Sequence, residues 1–501
     1  MVGTGFGGLG AALTLAERGA RVGVFERLTY PGGCACTFEH DGDHFEGGAT
    51  LFSGFDEGQI FQRWIDRHGI DVEVERLDPA LELRTPRGVI RASRDRNELR
   101  AQFESIDGAP VDALRQFFRL QERVAAALWP VLDDIGLLPP LTPSRVLRHA
   151  ARLPRYVPLA RLVGRPLWSV LQRYGLEDFE PLVSWLDSQC RITVQCGVRE
   201  AEAPFALSAL DYHHRGATHV RGGIGELAWG LVRALESLGA DVHFGAPVKR
   251  ASRGTDGRWT VRARGAEWTA PHVLFNALPQ DAARIAGLDD PRLARTAKRV
   301  ESGWSAAMLY RTVRPPSGCG PSARHLELVA DTSAPFIEGN HVFLSIGAAG
   351  EGVANPSLRR VTVSTHISVE TLRDATDDAR RHYVESVQGR MRETIRELAP
   401  EWDVVAREFT ASARTFARWT GRSEGLVGGI PRRAGLAQYA EVFGRRLPAG
   451  FHLVGDSVFP GQSTLACAAG GARIADALVG RSRAEGAAAP RSAGGARSPA
   501  A

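Results

Sequence analysis

Lysine is almost missing from this chain. Lys and Arg together number 62, yet only Lys249 and Lys298 are lysines. The net charge is +5 and the pI is near 9.0. A surplus carried uniformly by arginine reads as a compositional habit. Nucleic-acid binding depends on where cations cluster, so no nucleic-acid partner is expected. Cysteine is also scarce, at six residues, and Cys34 and Cys36 are spaced C-x-C rather than C-x-x-C. That argues against a disulfide scaffold and a zinc ribbon, and it predicts reduced thiols and no metal site. No uncharged apolar run reaches the ~18 residues that a spanning helix needs. No basic start leads into an apolar stretch, so no secretory signal is expected and the predicted location is cytoplasmic. The remainder is ordinary. With 501 residues, 44% hydrophobic and 24% charged, the chain can build two or three domains around large cores.

The most informative segment comes first. Gly3-Thr4-Gly5-Phe6-Gly7-Gly8 has the spacing G-x-G-x-x-G, and Ala11, Ala12, Leu13, Leu15 and Ala16 continue it as an apolar helix that Gly19 ends. Residues 21–25 read as a strand closed by Glu26. Each part suits a dinucleotide. Gly3 makes the tight turn, Gly5 lets backbone approach a pyrophosphate, and Gly8 lets helix and strand touch. The helix N-terminus offers N–H groups to the phosphates. Glu26 stands 18 residues beyond Gly8, where a carboxylate accepts the ribose hydroxyls. Only Met1 and Val2 precede Gly3, where the central strand of such a sheet should run. The natural start is therefore expected to lie upstream.

After Glu26 come Arg27 and Pro31-Gly32-Gly33-Cys34, then Phe45-Glu46-Gly47-Gly48. Further on stand His219-Val220-Arg221-Gly222-Gly223 ahead of an apolar-periodic helix over 227–238, an alternating strand over 241–248, and a buried strand ending in Asn276-Ala277-Leu278-Pro279. Near the end, an apolar strand closes on Gly455-Asp456 and is followed by Phe459-Pro460-Gly461-Gln462 and Ala468-Ala469-Gly470-Gly471. Taken together, these islands resemble the flavoprotein superfamily that contains phytoene desaturases, carotenoid isomerases, amine oxidases and protoporphyrinogen oxidases. The resemblance touches most of residues 1–480. Cys34 stands where many members have Arg, as in some carotenoid isomerase-like members, and Glu46 replaces an Asp.

The resemblance implies an α/β fold: a two-dinucleotide-binding, Rossmann-like FAD domain with an inserted α+β substrate domain. FAD is the implied cofactor. Gly3, Gly5, Gly8, Glu26, Arg27, Gly32, Gly33, Gly48, Arg221, Val248, Gly455 and Asp456 are its implied contacts, with Val248 near the adenine and Asp456 at a phosphate or ribityl hydroxyl. The FAD domain is expected at 1–75, 217–290 and 450–481, and the substrate domain at 76–216 and 291–449. That substrate domain should contain strands at 306–312, 342–346 and 360–366 and an amphipathic helix at 377–398. Segments 415–421 and 428–431 would lie near its cavity. The tail 482–501, rich in Ala, Gly, Pro, Ser and Arg, is expected to be disordered.

Between Asp134 and Glu177 there is no acidic residue, while Arg145, Arg148, Arg152, Arg155, Arg161, Arg165 and Arg173 alternate with Leu, Val, Tyr156 and Trp168. Thr142-Pro143 reads as a helix start. Such a stretch suits an anionic membrane surface, and the alternative is a solvated helical lid. The implied substrate is an apolar polyene such as a carotenoid, desaturated by hydride transfer to flavin. The alternatives are a carotenoid cis–trans isomerase using reduced flavin, an amine or porphyrinogen oxidase, and a flavin-binding protein without catalysis. No acid–base constellation stands out. His213 and His214 are the best polar candidates, with a structural role as the plainer reading, and no catalytic residue is assigned. Amine oxidases commonly place a Lys near the reactive flavin atom, and only Lys298 is left for that part.

Overall fold

The computed structural model describes residues 1–48, 50–139, 141–443 and 447–488. Three distant parts of the chain meet in one parallel sheet. Gly23–Phe25 pairs with Asp241–His243, and Val273–Phe275 with Phe451–Leu453. Val2 joins the two pairs through parallel bridges to Phe25 and Phe275. Its N–H donates to the Leu274 carbonyl at 2.9 Å and its carbonyl accepts from the Asn276 N–H at 2.8 Å. Val2 thus occupies the central strand position by itself. Val273, Leu274 and Phe275 are all buried, as expected for a sheet covered on both faces.

The helices that cover this sheet are Phe6–Glu17, Ile224–Ser237 and Thr464–Ala488. The first and last touch backbone to backbone. A Cβ on Gly10 would stand 2.4 Å from the Ala468 carbonyl oxygen, and one on Gly471 would stand 2.0 Å from that of Gly7. This close approach explains the small residues at 468–471. The last helix also runs on through Ala488, so the tail does not become irregular at Ser482. Arg, Ala and Glu there are good helix formers; residues 489–501 lie outside the described residues.

Two strands are shorter than their patterns predict. The one expected over 21–25 spans Gly23–Phe25. The one expected over 241–248 ends at His243, because Gly245 turns at φ +57°. The Ala246 N–H still donates to the Glu26 carbonyl at 2.7 Å, so the chain continues past Glu26 as an irregular segment through Pro247 and Val248.

The other large element is a seven-stranded sheet in the order Val405–Ala411, Trp304–Val313, Arg359–Ser368, His341–Ile346, Arg324–Val329, Glu82–Thr85, Gly88–Arg91. All neighbours are antiparallel except Arg324–Val329 with Glu82–Thr85. Strands from both intervening segments therefore share one sheet. The three strands expected at 306–312, 342–346 and 360–366 lie within it. Helix Asp377–Leu398 buries Val387, Met391 and Ile395 against it. A separate helical cluster forms around Phe103, Phe117 and Trp185, with Val111–Asp133, Glu180–Val194 and Ala203–Ala209 as its main members.

The arginine-rich stretch divides in two. Thr142 caps helix Pro143–Ala150, which has Pro143 in its first turn. Here Leu147 is 72% exposed and Val157 66%, with Val146 and Leu153 also on the outside. Leu159, Leu162, Leu167 and Leu171 are instead buried. Within this stretch, the described residues that present large apolar side chains outward fall at 146–157. Among the described residues no helix is long and apolar enough to cross a membrane.

Candidate functional site

A cavity of about 810 Å³ runs between the parallel sheet and the seven-stranded sheet. Its first wall is the dinucleotide half. Gly3, Gly5, Glu26, Arg27, Gly32, Gly33, Gly48, Val248, Gly455 and Asp456 all line it. Gly3 has φ +93° and leaves no room for a Cβ, which would lie 2.9 Å from the Asn276 carbonyl oxygen. Gly5 caps the first helix without any side-chain hydrogen bond, and Phe6 and Gly7 also face the cavity. The first-turn N–H groups are thus turned toward space in which a phosphate is favoured. Glu26 accepts from the Thr4 N–H at 2.7 Å, the Thr4 hydroxyl at 2.6 Å and the Leu28 N–H at 2.9 Å. These bonds hold the carboxylate still, and the one acceptor site left on Oε1 can take a ribose hydroxyl. The donor set fits an adenine dinucleotide whose pyrophosphate rests on the glycine turn.

Two expected contacts lie elsewhere. Gly8 is not on the cavity wall. A Cβ there would sit 2.1 Å from the Gly3 carbonyl oxygen, so its task is to seat the helix on the turn. Arg221 is not on the wall either. Its guanidinium reaches the Glu73 carboxylate at 3.1 Å and is partly open to solvent, because the neighbouring strand Thr218–Val220 pairs antiparallel with Val74–Arg76. Glu46 has a definite role that sequence reasoning missed. It is buried, and its carboxylate accepts the Ile224 N–H at 3.0 Å, while Thr37 accepts that of Gly225 at 2.9 Å. The hairpin at 37–46 therefore caps the helix after the second glycine turn.

Asp456 meets a cation supplied 34 residues earlier in the chain. Its carboxylate pairs with Arg422 at 2.6 Å, and Arg422 also donates to the Leu426 carbonyl at 2.6 Å. Burial pulls the Arg422 pKa down, but the adjacent Asp456 outweighs it and holds it above the ordinary value. Cys34 and Cys467 share this neighbourhood, and burial pushes both thiols upward. Arg422 follows directly on the 415–421 segment but carries no motif of its own, so nothing local in the sequence singles it out.

The opposite wall is apolar. Leu128, Leu132, Ile192, Phe205, Phe343 and Phe416 line it. Lys249 lies at the Val248 end, and Lys298 is exposed on helix Pro291–Glu301 and is not on the wall. Polar groups on this side come from His213, His341, His366 and Gln195. His214 is turned away and bonds the Arg94 carbonyl at 3.0 Å. Burial lowers the pKa of His213 and of His366 to about 3, so both imidazoles are neutral near pH 7.

Comparison with known proteins agrees with this geometry. The family profile described as flavin containing amine oxidoreductase matches residues 6–330. A chloroplastic prolycopene isomerase of Daucus carota is 23% identical over 496 residues, covering 95% of this chain and 78% of that protein. A carotenoid 3,4-desaturase of Haloarcula japonica is 26% identical over 282 residues, covering 55% of each. Among solved structures, an oxidoreductase from Methanosarcina mazei superposes with a TM-score of 0.64 at 16% identity, covering 95% of this chain and 99% of that one.

Proposed function

The chain belongs to the flavin containing amine oxidoreductase family and is an FAD-dependent oxidoreductase; from that premise we propose that its substrate is an apolar polyene of the carotenoid kind, desaturated at the flavin. The observation that carries this reading is the continuity of the cavity. One space is bounded by the glycine turns and Glu26 on one side and by Leu128, Ile192, Phe343 and Phe416 on the other. A hydrocarbon gains about 25 cal/mol per Å² on leaving water for such a wall, and there the chain's part is to position it and exclude water. Bound FAD supplies a hydride acceptor. Glu26, Gly5 and Gly33 would hold the nucleotide portion, while Asp456, steadied by Arg422, would lie where a ribityl or phosphate group passes. The exposure of Lys298 and the place of Lys249 beside Val248 disfavour amine oxidation.

Isomerisation without net oxidation is the second reading. It is favoured by the extent of the Daucus carota match, a prolycopene isomerase aligned along nearly the whole chain. Expression in cells that accumulate carotenoid precursors, followed by chromatography and mass spectrometry, separates the two. Desaturation lowers the product mass by a pair of hydrogens, and isomerisation leaves it unchanged. An unaltered pigment profile with flavin-loaded protein present would overturn both.

We also propose that residues 143–157 rest on an anionic membrane, from which an apolar substrate would be drawn. Leu147, Leu153 and Val157 project outward beside Arg152 and Arg155. Arg145 is instead held by Asp476 at 2.7 Å, and Arg148 by Asp134.

A further inference from the structure

The nucleotide end of the cavity gathers negative charge. Glu26 and Asp456 both line it, and the pyrophosphate of FAD is itself a dianion. Against these, the first helix offers about half a positive charge at its N-terminus. A cation beside that helix end would offset the excess. Of the arginines on the wall, Arg27 is exposed and donates to the Arg418 carbonyl at 3.1 Å. Arg284 is exposed as well and pairs with Asp281 at 3.2 Å. Arg432 lies over the rings of Phe205 and Phe459.

Arg422 is placed differently. It lines the cavity, and its side chain is 14% exposed. A guanidinium carries five N–H donors. Nε gives its own to the Leu426 carbonyl at 2.6 Å, and Nη2 gives one to Asp456 Oδ2 at 2.6 Å. The rest of that edge, on Nη1 and Nη2, has no partner among the described residues and is open to the cavity. Two neighbours fix where the edge lies. Asp456 follows Gly455, which sits so near the first helix that a Cβ on Gly7 would stand 2.6 Å from the Gly455 Cα. Cys34, which interacts electrostatically with Arg422, follows Gly33, and a Cβ there would stand 3.2 Å from the Gly5 Cα. The guanidinium is thus held beside the N-terminal turn of Phe6–Glu17 from two sides.

We propose that the open edge of Arg422 binds the pyrophosphate of FAD. Asp456 aims this guanidinium, and the cation cancels the carboxylate that would otherwise repel the phosphates. The planar fork of an arginine matches two phosphate oxygens at once. The inference rests on bound FAD alone and is independent of the substrate.

The test uses full-length apoprotein and three probes: FAD, ADP-ribose, which has the pyrophosphate without the flavin ring, and adenosine, which has neither. FAD is titrated directly, and the other two are read by their displacement of FAD, so no turnover is needed. Arg422→Gln should weaken FAD and ADP-ribose about tenfold to a hundredfold, the worth of a charged hydrogen bond, and leave the affinity for adenosine unchanged. Removing one partner of a buried ion pair is destabilising. The titrations are therefore repeated on Arg422→Gln, Asp456→Asn, which removes both charges, and the same pattern is expected. Unchanged FAD affinity in either folded variant overturns the inference. A loss confined to FAD overturns it too, because it puts Arg422 at the flavin ring. A parallel loss for adenosine shows that the site was deformed and that the arginine is structural. If ADP-ribose does not displace FAD from the native protein, the pyrophosphate carries no affinity there and the inference falls.

Discussion

His325 is neutral in the fold at a pH where the unfolded chain would protonate it, and that difference should make the protein acid-labile. It lies on strand Arg324–Val329, is 2% exposed, and has no hydrogen-bond partner at either ring nitrogen. Its ring stacks on Phe343 with centroids 5.7 Å apart. Burial first, and then the nearby His219, lower its pKa from 6.5 to about 3. In the unfolded chain it protonates below pH 6.5, so the unfolded state binds more protons and stability falls as pH drops through that value. At pH 5 the deficit spans about 1.5 units at 1.36 kcal/mol each, or about 2 kcal/mol. His325→Phe keeps the stack and removes the titration. Its larger ring adds an overpacking cost of about 1–3 kcal/mol, set against about 1–3 kcal/mol regained from the unpaired nitrogens, and both are the same at pH 7 and pH 5. The pH-dependent part is therefore isolated by denaturant unfolding at the two values, with tryptophan fluorescence and flavin release as coincident probes. The variant should lose about 2 kcal/mol less than the native protein between pH 7 and pH 5. Equal losses in the two proteins would refute the reasoning.

Other consequences can be measured independently. Glu26→Ala removes the acceptor of Thr4 and Leu28 and should weaken FAD binding about ten- to a hundredfold, as charged hydrogen bonds do; titration of apoprotein with FAD reads this, and unchanged affinity would count against the nucleotide site. Gly8→Ala sets a methyl 2.1 Å from the Gly3 carbonyl oxygen, so the first helix must shift by more than a side chain can absorb. Flavin content and the midpoint of thermal unfolding should both fall, and a fully loaded, equally stable variant would show that the turn is not seated this way. Native protein should float with phosphatidylglycerol vesicles and less with neutral phosphatidylcholine ones. The double variant Leu147→Ser, Val157→Ser should lose about tenfold or more of that binding, and equal failure on both vesicle types would remove the membrane proposal.

What the sequence determined by itself is the set of features governed by near neighbours. The glycine turn, the apolar helix after it and the carboxylate at Glu26 lie within one continuous stretch, and their spacing reflects local geometry. Helix Asp377–Leu398 has the bounds its periodicity predicts, because an amphipathic pattern 22 residues long leaves one face to bury. The strand expected over 241–248 was overread since alternation alone does not register Gly245, where the backbone turns left-handed. The ion pairs of Arg221 were illegible for a related reason: adjacency to Gly222 says nothing of the carboxylates at Glu73 and Glu75, which a distant strand brings to it.

Tertiary structure decided everything that depends on residues far apart in the chain. Arg422 reaches Asp456, Gln189 orients His213, and Glu46 caps the helix at Ile224. None of these pairs has a characteristic spacing, because a hydrogen bond constrains distance in space and leaves the intervening chain length free. The division at Val157 between outward and buried apolar side chains is of the same kind. Leu147 and Leu159 are chemically alike in the sequence, and only the helical cluster packed behind Leu159 makes one surface and the other core.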